Sequence, residues 1–404
     1  MFNSMDTRVE RKLSIELIPE LKGLKDVKTL DDLDFGNLEL TRGDTPDDIK
    51  QTCLQLCADY LGDKWTQQTV DTIEFRRLAG GLTNQLYYCA IGKPSVASDE
   101  PQEVVIRIYG PKHFNNKDHG GNERLTDVIN TLLVSEKKLG PKVYGLFESG
   151  QILGYYKHRQ FRLEEQSKPE LVAQVFKKLA QIHAMKVPIK MSHNWLFDDY
   201  ERFYQMGYEK FPINDMIAEL NLQTFKKYDL KAELQWLKEA VAESGSPAVF
   251  SHHDFRGSNI MVTEPDDEIL FCDLEYSAYG WRGFDFGTIL VEWGRTFSEF
   301  GKSEKDIQKY PNDETIKELV KIYVEESIRL LGPKFANNPV NSIDHILREA
   351  KLFSLAAIMF LVVFSIKNDV SDGISLPIDK KLFMQWGENA YEGYFYMKEM
   401  FGFQ

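Results

Sequence analysis

From Ser251 to Val262 the chain reads SHHDFRGSNIMV, and from Glu268 to Tyr276 it reads EILFCDLEY. The first run holds His252-x-Asp254-x4-Asn259, and the second is an apolar strand that ends at Asp273. An H-x-D triplet by itself is ordinary loop sequence. The spacing to an amide, and then to an acid closing the next apolar run, is far more specific. Phosphoryl transfer from ATP asks for these parts. A carboxylate must accept or orient the proton of the attacking hydroxyl, and oxygen ligands must hold Mg2+ against the phosphates. Asp254 is the candidate base, Asn259 and Asp273 are the candidate metal ligands, and His252 is a candidate brace for the loop.

Two further segments bear on the same chemistry. Gly80-Gly81-Leu82-Thr83-Asn84 joins two strand-like runs; its glycines let backbone approach phosphate, and its hydroxyl and amide can donate to it. A paired glycine turn is often only a hairpin, and its weight comes from lying ahead of a strand that carries Arg107. Arg107 interrupts the apolar strand VVIRIYG, where a cation suits the α- and β-phosphates and Asp127 on the next helix can pair with it. The alternative is an edge-strand arginine facing water. The run Asp273 to Gly294 interleaves Glu275, Asp285 and Glu292 with Tyr276, Tyr279, Trp281 and Trp293. Aromatic faces attract ammonium groups and carboxylates add charge, so the cluster suits a cationic alcohol. Any one of these aromatics fits a core equally well.

The elements that must position these residues are legible in outline. Strand patterns cover Thr72 to Leu78, Gln85 to Ile91 and Val104 to Gly110, and a helix is expected from Leu125 to Leu139, stopped by Gly140-Pro141. KVYGLFE and QILGYY suggest two more strands, after which helical periodicity dominates, interrupted by one β-rich stretch from Val249 to Asp273. The expected fold class is α+β in two lobes. Residues 1–45 form an N-terminal extension, 46–154 a small β-rich nucleotide-binding lobe, and 155–404 a larger, mainly helical lobe for catalysis and acceptor binding.

Composition bounds the function classes. The chain has 404 residues, with 49 Lys+Arg against 62 Asp+Glu and a formal charge of -13. A negative surface disfavours nucleic-acid binding. Four cysteines are too few for a disulfide scaffold in so long a chain, and no Cys/His cluster makes Cys53 and Cys57 a zinc site. The N-terminus has no secretory h-region. The apolar run Leu352 to Ile366 falls short of the roughly 20 residues that cross a bilayer, so it reads as a core helix. The expectations are a cytoplasmic location and no stable membrane insertion.

The segments LAGGLTNQLYYCAI, VVIRIYG, KKLGPKVYGLFESG, LAQIHAMKVP, SHHDFRGSN and CDLEYSAYGWRGFDFGTILVEW resemble the choline/ethanolamine kinase family, within the aminoglycoside-phosphotransferase-like kinases. The resemblance runs from about residue 50 to the C-terminus. It implies a two-lobed protein-kinase-like fold, ATP and Mg2+ as cofactors, a small amino-alcohol substrate and a possible homodimer. It places Gly80, Gly81, Leu82, Thr83 and Asn84 over the phosphates, Arg107 at the phosphate-binding position, and Tyr155 and Tyr156 at the adenine hinge. It makes Asp254 the base, Asn259 and Asp273 the metal ligands, and Glu292 a further acid near magnesium or acceptor. Tyr276, Trp293 and Phe297 fall where the family lines its alcohol pocket.

The chain departs from the pattern in three places. His253 stands where the family has Asn, and Asp127 where it has Glu. Leu355 and Ile358 stand at the W-x-x-W pair that walls the trimethylammonium site. Losing two aromatic faces costs cation attraction on the order of 1 kcal/mol each, for which Phe353, Phe360, Trp386 or Tyr391 could compensate. Three readings stay open: phosphorylation of choline or ethanolamine, a kinase for another amino-alcohol, and a nucleotide-binding pseudokinase partner.

Overall fold

A computed structural model describes residues 43–79, 84–92, 100–110, 123–192, 195–295, 309–368 and 379–403. Most of the expected extension, 1–42, lies outside them, as do Gly80, Gly81, Leu82, Thr83 and Phe297.

Alternating β-branched and aromatic residues build an antiparallel five-stranded sheet from β1 (Ile73–Leu78), β2 (Gln85–Ile91), β3 (Glu103–Ile108), β4 (Val143–Phe147) and β5 (Gly150–Gly154). Its strand order is β1-β2-β3-β5-β4. Register sorts the side chains onto two faces, since neighbours in a strand point opposite ways. Tyr87, Ile106 and Ile152 lie opposite one another and are buried with Cys53, Cys57 and Trp65 from the helices Ile49–Leu61 and Asp63–Thr66. The other face carries Leu86 opposite Arg107, and Tyr88 and Leu153 opposite Val105. The helix expected at 125–139 is Glu123–Glu136. It ends early because Lys138 takes a positive φ of 56°.

Five further strands belong to the larger lobe: β6 (His158–Gln160), β7 (Ala248–Ser251), β8 (Ile260–Thr263), β9 (Ile269–Phe271) and β10 (Ala278–Trp281). β6-β8-β9 form one sheet and β7-β10 a ribbon, both antiparallel. Helices make up most of the rest, and their starts follow local sequence. Asp229, Asn312, Ser342 and Asp379 each accept a backbone N–H of the first turn they precede, satisfying donors that otherwise stay orphaned.

The apolar run read as a core helix lies inside Ile343–Lys367. That helix is long and apolar enough to cross a membrane, yet 78% of its most apolar window is buried in the protein. It presses on helix Gly283–Glu292 where a Cβ on Gly283 would lie 2.2 Å from Phe353 and one on Gly287 2.3 Å from the Phe353 backbone. Only glycine permits that approach.

Candidate active site

The catalytic loop is the connection from β7 to β8. Its backbone turns sharply: His253 takes φ 64°, a left-handed conformation unusual for a residue with a Cβ. Asp285, the third residue of helix Gly283–Glu292, holds that turn in place. Its two oxygens accept the amides of His252 and His253 at 2.8 and 2.7 Å. The His252 ring spans to the Cys272 carbonyl at 2.9 Å, tying the loop to the end of β9. Asp254 is thereby presented toward Asn259, whose amide nitrogen donates to the Asp254 carboxylate at 2.7 Å and to its carbonyl at 2.9 Å. Both bonds use the Asn259 side-chain nitrogen, which leaves its side-chain oxygen available to a cation.

Asp273 follows β9, also left-handed at φ 59°. From the other lobe Arg107 reaches across: one nitrogen lies 3.3 Å from Asp273 and 3.4 Å from Glu275, the other 3.8 Å from Asp127. Burial opposes the arginine's charge, but the three carboxylates outweigh it and raise its pKa. Asn84 donates to Glu275 at 3.1 Å and accepts the Gly110 amide, so the end of the glycine turn is pinned to the same point. Both oxygens of the buried Asp127 carboxylate have no hydrogen-bond partner among the described residues. The shorter acid therefore meets Arg107 only at ion-pair range.

Burial, then the carboxylates of Glu275, Asp254 and Asp127, push Asp273 up to about 8, with Arg107 opposing. Since 39% of that side chain still meets solvent, the crowding of like charge is the firmer cause. Such a concentration of negative charge is what a divalent cation would relieve. Among the described residues no group of three or more His, Cys, Asp or Glu forms a metal cluster. Asn259 and Asp273 fit instead the sparse protein ligation typical of Mg2+, which keeps waters and takes phosphate oxygens.

Above this centre Leu86, Val105 and Leu153 are half-exposed on the Arg107 face, whereas their neighbours Tyr87, Ile106 and Ile152 are fully buried. An apolar roof left open over a polar floor suits a flat base with phosphates attached. At its end lies a cavity of about 480 Å³ lined by Tyr88, Glu103, Tyr155, Tyr156, Lys157 and Glu264. Tyr155 packs edge-on against Tyr88 at 4.6 Å, with Arg76 over the Tyr88 ring at 4.5 Å.

Several expected site residues sit elsewhere or do other work. Glu275 is paired with Arg107 rather than offered to an acceptor, and Asp285 is a fully buried loop brace. Trp293 packs against Phe161 and Phe176, both at 6.2 Å, with 9% exposure, so it is a core residue rather than an open pocket wall. It caps helix Gly283–Glu292 in an extended conformation. Tyr276 is half-buried beside the loop, and Glu292 pairs with Arg256 at 3.1 Å. Arg256 was missed by sequence reasoning. Burial works against its charge, but Glu292, Asp254 and Asp273 raise its pKa, so it lies between Glu292 and the two loop carboxylates. Its one sequence signal was its place two residues after Asp254. Leu355 and Ile358 are buried in the helical core and present no open face.

The profile of the choline/ethanolamine kinase family matches residues 75–391. A choline/ethanolamine kinase of Homo sapiens is 28% identical over 87% of each chain, and one of Mus musculus is 30% identical over 69% of this chain and 70% of its own. The crystal structure of a choline kinase from Cryptosporidium parvum, 17% identical, superposes over 87% of this chain and 95% of its own with a TM-score of 0.63, which establishes the two-lobed fold. With its family profile spanning both lobes and every element of the site, the chain belongs to the choline/ethanolamine kinase family.

Proposed function

We propose that the protein transfers the terminal phosphoryl group of ATP to the hydroxyl of choline or ethanolamine, making the phospho-alcohol used in phospholipid synthesis. The observation that carries this reading is that the Asp254–Asn259 pair and the Arg107–Asp273 pair, the latter spanning both lobes, lie near enough for the Asp254 charge to act on Asp273. Asp254 accepts the acceptor hydroxyl's proton, oriented by the Asn259 amide that binds its other side. Arg107 holds the α- and β-phosphates, and Asn84 steadies the turn beside them. Leu86, Val105 and Leu153 cover the base, with Tyr155 and Tyr156 at the hinge edge. Asn259 and Asp273 would hold Mg2+, which would supply positive charge against the phosphates. Glu292, positioned by Arg256, faces the acceptor side with Tyr276.

A coupled ADP-release assay with choline, ethanolamine and their partly methylated intermediates tests the reading. Turnover on one or more is expected, and none from folded protein sinks it. Asp254→Ala should lower kcat by about 10²- to 10⁴-fold while ATP still binds. Full activity in that variant would remove Asp254 as base.

One observation favours a second acceptor within the same chemistry. Buried aliphatic Leu355 and Ile358 supply no aromatic face for a trimethylammonium group, which supports a smaller or less methylated amino-alcohol. The same panel decides it through the ratio of kcat/KM values. We also read the protein as cytoplasmic and not membrane-inserted, supported by four free cysteines and the burial of the long apolar helix. The homodimer remains a family expectation, tested by light scattering.

A further inference from the structure

Helix Pro169–His183 ends at a histidine that the reaction scheme leaves unused. The His183 ring is buried and both its nitrogens are engaged: Nε2 lies 3.0 Å from Asp285 Oδ2, and Nδ1 lies 3.0 Å from the Tyr323 hydroxyl. Asp285 in turn holds the amides of the two residues before Asp254. A continuous chain of hydrogen bonds thus runs from helix Asp313–Leu331, which carries Tyr323, to the catalytic loop.

The direction of each bond is set by which groups can donate. Burial opposes ionisation of Asp285, but its bond from His183 and the neighbouring histidines outweigh this and lower its pKa. An ionised carboxylate only accepts, so Asp285 favours the His183 tautomer with its proton on Nε2. A ring with that single proton presents Nδ1 as an acceptor, and the group facing it is the Tyr323 hydroxyl. Arg282 and the Ser327 hydroxyl also bond the Tyr323 oxygen; both can donate to it, so the phenol's own proton is free to point at His183. Burial pushes the phenol up to about 12, so that proton is present at neutral pH. Packing locks the ring as well, edge-on to Phe286 at 5.0 Å and to His183 at 5.5 Å.

We propose that Tyr323 is a positioning residue for the catalytic loop: by donating to Nδ1 it holds His183 in the Nε2–H tautomer that keeps Asp285 clamped on the His252 and His253 amides. Without that donor the ring can exchange tautomers, and the wrong one turns a lone pair toward a carboxylate. The clamp then loosens and Asp254 loses its fixed presentation. The catalytic consequence rests on Asp254 being the base; the clamp itself does not.

The test uses the full-length protein. In the wild type, imidazole ¹⁵N spectra should show His183 protonated on Nε2 alone; a proton on Nδ1 alone overturns the proposal with no substitution needed. Tyr323→Phe should give mixed tautomers, exchange of the His252 and His253 amides about tenfold faster, and a kcat about tenfold lower, the worth of one hydrogen bond, with KM for ATP held within about twofold. In His183→Gln the side-chain amide can donate to Asp285 without any tautomer to choose, so adding Tyr323→Phe should cost nothing further. Additive losses in the double variant, or unchanged exchange in Tyr323→Phe, would show ordinary packing and overturn the proposal. Faster exchange with unchanged kcat would uphold the clamp and count against Asp254 as the base.

Discussion

Arg107 shows how much one side chain decides here. Its guanidinium spans three acids with different nitrogens, Asp127 on one side and Asp273 and Glu275 on the other. An ammonium is a single point of charge and cannot span them. Arg107→Lys should therefore raise KM for ATP by about tenfold or more, the scale of one lost charged hydrogen bond, measured by initial rates at saturating acceptor. A KM within twofold of the wild type would show that the arginine serves only the fold. Position 107 was legible as a candidate functional cation because a charge in an apolar strand needs a reason. Its partner Glu275 was not, because an acid beside aromatics reads equally well as an acceptor-site residue until the second lobe is in place.

At the scale of elements, the catalytic loop is held by backbone approach as much as by side chains. β10 runs so close to the loop that a Cβ on Gly280 would lie 2.0 Å from His253 Nε2. The His253 ring has nowhere to retreat, with Trp195 at 4.6 Å and Phe284 at 5.9 Å. Burial drives its pKa down to about 4, so it stays neutral in this wedge. Gly280→Ala should displace the residue next to Asp254 and lower kcat by about tenfold or more, with an overpacking cost of about 1–3 kcal/mol in stability. Stopped assays paired with chemical denaturation separate the two effects, and wild-type kcat would rule out the wedge. His253 departs from the family's asparagine, and the structure explains what the ring does there: it fills the space between β10 and helix Trp195–Lys210.

Across the whole molecule, stability of the larger lobe depends on one buried ion pair. Arg282 and Glu349 are each 1% exposed and 2.5 Å apart, with Asn341, the Val340 carbonyl and Ser246 completing their hydrogen bonds. Removing one partner strands the other charge in the core, so Glu349→Ala should cost about 3–5 kcal/mol in unfolding free energy. A loss below about 1 kcal/mol in a denaturant titration would refute that role. The same arginine lies against Tyr323, so this pair also connects the long apolar helix to the hydrogen-bond chain behind the catalytic loop.

The chain's own order of residues determined the strand layout of the smaller lobe and the two-lobed class, and it singled out Asp254, Asn259 and Asp273 as candidates, because those features depend on local periodicity and short spacing. Only the tertiary structure decided which acids do what. Asp285 and Glu275 lie within 13 residues of Asp273, yet one braces a backbone and the other neutralises an arginine. Trp293 likewise carries the composition of a pocket and the position of a core. A side chain's role there depends on which distant segment packs against it, and sequence proximity carries no record of that.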